Sequence, residues 1–202
     1  AGRASCVRIP ARHPIGCRVG RPDFNRWICD GQSISLVRNS RTLNYRESID
    51  WLYGTQTFGI KLGLENMRRL LVEDGIDPDR PGAAVLHVAG TNGKGSVCAV
   101  AERILRDAGV KTGLFTSPHL VTYRERIRVN GAMIPEDVVA RELTRLRARV
   151  ADRENHPTFF ELSLALAMRH FFDERCGVIV LETGMGGRLD ATNALKSDVT
   201  VI

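Results

Sequence analysis

The stretch that most restricts the fold of this 202-residue chain is Ala83–Ala89 (AAVLHVA), a short apolar run leading straight into Gly90-Thr91-Asn92-Gly93-Lys94-Gly95-Ser96. Beyond the glycines, Val97, Val100, Ala101, Ile104 and Leu105 recur at helical spacing up to Gly109,. The pattern predicts strand, tight loop and helix, a unit that belongs in a parallel sheet. Three glycines let backbone N–H groups converge on one point, the helix start adds the favourable end of its dipole, and Lys94 brings a positive charge. Those are the requirements for holding phosphate groups. The loop departs twice from the common G-x-x-x-x-G-K-[ST] pattern: Val88 occupies the first glycine position, and Gly95 follows the lysine, which displaces the hydroxyl to Ser96,.

The remaining pattern agrees with an α/β domain. Leu64, Met67, Leu70 and Leu71 predict a helix stopped by Gly75-Ile76-Asp77-Pro78,. A second strand is expected over Lys111–Thr116, ending in Ser117-Pro118-His119. Ile127-Arg128-Val129 enters a tight turn at Asn130-Gly131,. Pro135-Glu136-Asp137 opens a helix that runs to about Val150,. Phe160–Phe172 reads as an apolar helix, Val178–Leu181 as a strand covered on both faces, and Val199–Ile202 as the start of another strand,. The expected architecture is a three-layer α/β domain with a mainly parallel sheet.

Charge is distributed unevenly. Residues 1–46 hold nine arginines against Asp23 and Asp30, which leaves 20 basic and 21 acidic residues in the rest. A nearly neutral body argues against a nucleic-acid face. The front end reads as a basic, unstructured extension, residues 1–46, with the domain occupying 47–202 and its onset placed at Ser48. This extension is Arg-rich like a transit peptide, but Pro10, Pro14, Gly16 and Gly20 spoil an amphipathic helix,. Cys6, Cys17, Cys29, Cys98 and Cys176 are odd in number and lack zinc-knuckle spacing, so reduced thiols in the cytoplasm are the simplest account,. No stretch approaches the roughly 20 apolar residues of a membrane span.

The variant loop resembles the nucleotide loop of the Mur ligase superfamily, and the glycine after its lysine is similar to the folylpolyglutamate synthase and dihydrofolate synthase branch. Other segments follow in the same order. Phe58–Glu65 resembles the branch's lead-in segment, and Thr116–Leu120 with Glu125-Arg126-Ile127 and Asn130-Gly131 resembles its second motif. Thr158–Glu161 is similar to its pterin-side segment, and Leu181–Asn193 to its longest signature. The resemblance spans about residues 48–202. It implies an ATP- and magnesium-dependent ligase that joins L-glutamate to dihydropteroate or tetrahydrofolate through an acyl phosphate, acting as a cytoplasmic monomer at full length.

The resemblance also implies residue roles. Gly90, Thr91, Asn92, Gly93, Lys94, Gly95 and Ser96 would contact ATP, with Lys94 central to the chemistry. Ser117 and Glu182 would be magnesium ligands, and oxygen donors at the ends of two parallel strands suit that ion. Ile60, Lys61, Leu62, Thr158, Phe159, Phe160, Glu161, Leu189, Asp190 and Ala191 would form the pteroate or folate site, where Phe160 could stack on a flat ring and Asp190 accept its N–H groups,. Simpler readings stand beside these: Ser117 as a turn cap before Pro118, Glu182 paired with Arg188, the two phenylalanines as core, and His119 as a turn residue. Gly184, Gly186 and Gly187 lack the third glycine of a dinucleotide fingerprint, Leu189 standing in its place,.

A histidine after the Val199 strand, a carbamylated lysine and a C-terminal glutamate ligase domain, all implied by the resemblance, are not within these 202 residues. The chain therefore reads as an incomplete ATP-binding domain without full activity of its own. Two rivals are a non-catalytic nucleotide-binding fragment and a peptidoglycan-precursor amino-acid ligase of the same superfamily. A GTPase or kinase is disfavoured by the altered phosphate loop and the lack of an N-K-x-D segment.

Overall fold

The computed structural model describes residues 41–59 and 63–202. Its centre is a six-stranded sheet built from β1 (Ala84–Val88), β2 (Thr112–Phe115), β3 (Ile127–Val129), β4 (Ala132–Met133), β5 (Val178–Glu182) and β6 (Val199–Val201), in the order β4-β3-β2-β5-β1-β6. The pairs β2–β5, β5–β1 and β1–β6 are parallel, and β3 and β4 add antiparallel strands at one edge. Asn130 and Gly131 turn that edge hairpin with φ of 49° and 78°, the left-handed pair that matches strand twist,.

Alternation along the central strands decides what each face buries. Ile179 and Leu181 of β5, Val85 of β1 and Phe115 of β2 point into the main core, while Val180, Leu86, Val88 and Leu114 point the other way,. That is why Val178–Leu181 carries no polar position. The helix α3 (Lys94–Asp107) covers the second face through Cys98 and Leu105. The main core is closed by α1 (Tyr45–Gly54), α2 (Glu65–Glu73), α4 (Glu136–Val150) and α5 (Phe159–Asp173). Sheet and helices on both faces give the three layers expected from the sequence.

Within that arrangement α5 is the buried helix. Leu162, Leu164, Leu166, Met168 and Phe171 are all inaccessible, which accounts for an apolar character that extends around its circumference,. Close approach to the sheet requires Gly113, because a Cβ there would stand 2.7 Å from the Phe171 ring. On the outer side, Asp74 after α2 takes Arg145 (2.9 Å) and Arg149 from α4, while Arg169 of α5 bonds its carbonyl. Burial pushes the Asp74 carboxyl up, but the two guanidinium groups outweigh it and hold the group below its ordinary value,.

The helix α1 spans the boundary read at residue 46. Asn44 and Glu47 form a reciprocal capping box at the start of α1, and the Leu43 N–H donates to Thr144 Oγ1 of α4,. Of the five cysteines, Cys98 and Cys176 are free and buried, and the other three lie outside the described residues. Among the described residues, no helix is long and apolar enough to cross a membrane.

Candidate active site

The glycine-rich loop leaves the carboxyl end of β1 and turns into α3 through Gly93, whose φ of 79° suits glycine,. Thr91, Asn92 and Ser96 are exposed, and the first turn of α3 faces the same edge of the sheet as the ends of β2 and β5. Lys94 folds back over the loop, its Nζ donating to Gly90 O at 3.0 Å and to Thr91 O at 3.4 Å. A cation resting on neutral carbonyls is poised to exchange them for phosphate oxygens.

Ser117 and Glu182, at the ends of the neighbouring strands β2 and β5, are brought together. The Ser117 N–H donates to Glu182 Oε2 at 2.9 Å. Among the described residues nothing donates to Oε1, and Glu182 makes no ion pair with Arg188, so the simpler reading of that carboxylate does not hold. Its oxygen and the Ser117 hydroxyl are hard donors of the kind a small divalent cation takes, and the residues fit such an ion. A Cβ on Gly95 would meet both Glu182 oxygens at ordinary contact distance, 3.5–3.6 Å, so packing against the carboxylate does not by itself require glycine there. Burial and Glu182 together push the nearby Cys98 thiol up to about 12, which keeps it protonated and inert,.

Beside this edge lies a cavity of about 570 Å³, within the usual range for small-molecule sites,. Lys94, Ser117 and Arg126 contribute its polar side; Phe159, Phe160, Met185, Leu189 and Ala191 contribute the apolar side. Thr158, Glu161 and Asp190 also reach the wall, so much of the sequence-derived acceptor set converges on one space. Ile60, Lys61 and Leu62 lie outside the described residues, although the adjoining Gly59 lines the cavity.

Several of these side chains build the wall rather than face a ligand with free polar atoms. Thr158 and Glu161 cap α5 reciprocally: Glu161 Oε2 accepts from the Thr158 N–H at 2.7 Å and from its hydroxyl at 2.9 Å,. Asp190 is almost fully engaged within its own loop. Its Oδ1 accepts from the Thr192 N–H and hydroxyl at 3.0 and 2.5 Å, and its Oδ2 from the Met185 N–H at 2.8 Å. The expectation that Asp190 reads ligand N–H groups is thus left with few lone pairs. The Thr192 hydroxyl has one proton, and it goes to Asp190. The buried His87 of β1, 2.8 Å away, must therefore donate from Nε2. Burial lowers its pKa against the pull of Asp190, which keeps the ring neutral with that nitrogen protonated,. A chain of hydrogen bonds thus ties the strand beneath the phosphate loop to the loop over the cavity.

Phe159 and Phe160 divide between core and cavity. Phe160 packs edge-on to Phe115 at 5.5 Å, and Phe159 stacks on Tyr53 at 5.5 Å. Gly184 is needed beneath Phe160, since a Cβ would stand 2.7 Å from the ring. His119 is a positioning residue, as the simpler reading has it. Arg126 Nε donates to its Nδ1 at 2.8 Å, which puts the ring proton on Nε2, facing the Tyr53 hydroxyl at 3.1 Å. Arg126 itself was not among the sequence-derived site residues. It is 8% exposed, lies over the Phe159 ring at 5.3 Å, and burial holds its pKa below the ordinary value against weaker pulls that include Glu182. Glu125 fixes the preceding turn, its carboxyl held down to about 2 by the Leu120, Thr122 and Val121 N–H groups.

With its phosphate-type loop at the carboxyl edge of a parallel sheet and the loop lysine on a cavity wall, the domain falls into the phosphate-loop α/β class, in the Mur ligase central-domain form,. No family model matches the chain. Individual proteins do. The dihydrofolate synthase/folylpolyglutamate synthase of Bacillus subtilis is 37% identical over 163 residues, covering 78% of this chain and 37% of the relative. Escherichia coli FolC, solved in complex with DHPP and ADP, superimposes with a TM-score of 0.68 at 38% identity over 79% of this chain and 38% of that one. A bifunctional folylpolyglutamate synthase/dihydrofolate synthase solved with Mn, AMPPNP and L-glutamate gives 0.66 at 33% identity, over 79% and 39%. The chain belongs to the folylpolyglutamate synthase/dihydrofolate synthase family, and spans less than two fifths of the length of these relatives.

Proposed function

We propose that this chain supplies the ATP site and the aromatic-acid site of a ligase that joins L-glutamate to dihydropteroate or tetrahydrofolate. The observation that carries the reading is the shared cavity, with the phosphate-loop lysine on one side and an aromatic, apolar wall on the other. Nucleotide and acceptor acid would meet between them. In the reaction, the acceptor carboxylate attacks the γ-phosphate of ATP, giving an acyl phosphate and ADP. The glutamate amine then displaces phosphate and leaves an amide. Loop N–H groups and Lys94 bind and orient the phosphates, and the apolar wall keeps water from the activated acyl group. Ser117 and Glu182 would hold a magnesium ion, which supplies charge neutralisation at the phosphates. The relatives solved with ADP, AMPPNP, Mn, DHPP and L-glutamate support this choice of ligands.

The reading places the protein in the cytoplasm as a monomer at full length, without nucleic-acid or membrane partners. Because the chain spans 37% of the Bacillus relative, we assign glutamate binding and closure over the acyl phosphate to the portion that the relatives have in addition. The test grafts residues 44–202 in place of the matching segment of that synthase and follows product mass with dihydropteroate, tetrahydrofolate, glutamate and ATP. Amide formation by the graft, with none from the 202-residue chain alone, is expected. A folded graft that binds nucleotide yet yields no amide would overturn the assignment.

A further inference from the structure

Arg126 stands apart from the shielded arginines that are ion-paired. Arg145 and Arg149 meet Asp74, Arg153 meets Glu73, Arg106 meets Glu102, and Arg169 meets Asp173. For Arg126, at 8% exposure, no carboxylate among the described residues comes within ion-pair distance. The only hydrogen bond of its side chain among those residues runs from Nε to the neutral imidazole of His119. The two terminal nitrogens, the prongs of the guanidinium, take no described partner, and the residue lines the cavity. Neither prong is among the buried polar atoms that lack a partner, so both open onto the cavity, and a largely shielded cation with no described counter-charge suits an anion that enters there,.

The surroundings identify which anion. The guanidinium lies over Phe159, and the cavity beyond is walled by Phe160, Leu189 and Ala191, surfaces for a flat aromatic body. Phosphate already has its own cradle in the glycine loop and Lys94. A planar fork matches a carboxylate through two parallel hydrogen bonds. We propose that Arg126 grips the carboxylate of the aromatic acceptor acid and so holds the reacting group beside Ser117 and Lys94. His119 and Tyr53 fix the plane of the fork from behind, through the chain of hydrogen bonds from Arg126 Nε.

The proposal rests on the acceptor-site reading above, and a ligand pair separates the two. Pteroate and its decarboxylated analogue, which ends in an unsubstituted phenyl ring, are titrated into the 202-residue chain by intrinsic fluorescence or calorimetry. Wild type is expected to prefer pteroate by about 10- to 100-fold, the range for a charge-assisted hydrogen-bonded pair. Arg126→Met should bind pteroate no better than the analogue, with ATP-magnesium affinity unchanged. Should that variant fail to fold, Arg126→Lys is read in its place, with about a tenfold loss expected for pteroate and none for the analogue. Equal binding of both ligands by wild type, an undiminished preference in the variant, or a loss confined to ATP would each overturn the assignment of Arg126 alone. Failure of wild type to bind either ligand would remove the acceptor site itself, and the role of Arg126 with it.

Discussion

Replacing Gly184 by alanine tests the cavity wall at a single atom. The added Cβ would stand 2.7 and 2.8 Å from two carbons of the Phe160 ring and 3.2 Å from Asp190 Oδ2. Carbon atoms settle about 3.5–4.0 Å apart, so the ring must retreat by about 1 Å. Phe115 blocks it on one side, edge-on at 5.5 Å, which leaves the cavity as the way out. Overpacking of this kind costs about 1–3 kcal/mol, which corresponds to a melting temperature lowered by about 2–12 °C for a domain of this size. Thermal denaturation gives the stability, and pteroate titration gives the intrusion of the ring as weakened binding. In a Phe160→Ala background the same Gly184→Ala change should cost much less, because only the 3.2 Å approach to Asp190 Oδ2 is left,. An alanine tolerated without loss, or equally costly in both backgrounds, would refute the close approach described here.

Two further outcomes follow from the buried His87 and His170 and the half-buried His119. His87, His119 and His170 all have pKa values lowered first by burial from the ordinary 6.5, so the unfolded chain takes up protons before the folded one does. Their contribution is complete above pH 6.5 and is lost as pH falls through the folded values; urea midpoints should therefore decline between pH 6.5 and 5, where ordinary carboxylates do not yet titrate, and a rise there would contradict the assignment,. Thr192→Val strands the His87 Nε2–H and removes a donor from Asp190, a loss of about 1–3 kcal/mol that Thr192→Ser should largely avoid. Equal urea midpoints for valine and threonine would break the hydrogen-bond chain proposed between β1 and the cavity loop.

Local patterns were readable where local physics decides. The strand–loop–helix at Ala83–Gly109, the Asn130-Gly131 turn and the apolar strand Val178–Leu181 each depend on glycine conformation or on periodicity. The capping signal Asn44-x-x-Glu47 was equally local, and it opens α1 within a few residues of the Ser48 onset read from composition. Thr158-x-x-Glu161 carries the same signal, and its polar groups are turned to helix capping while the segment still shapes the cavity. Asp190-x-Thr192 is the pattern of a side chain bonding the backbone two residues on, which explains why that carboxylate is largely consumed within its loop,. Arg126 stood in the quoted Glu125-Arg126-Ile127 motif, but its role was not readable. Arg124, Arg126 and Arg128 alternate through one short segment, and only tertiary packing sends Arg124 to Glu136, Arg128 to the Glu125 carbonyl and Arg126 to the cavity.

The most direct test of the central claim is a titration of ATP with magnesium against the wild-type chain and Lys94→Ala. The substitution keeps the glycine loop and its N–H groups but removes the cation that rests on Gly90 and Thr91 carbonyls. A charge-assisted hydrogen bond to phosphate is worth about 1.5–3 kcal/mol, so affinity should fall by about 10- to 100-fold while the melting temperature without nucleotide stays unchanged. Equal affinities in the two proteins would contradict the phosphate-loop assignment on which the site is built.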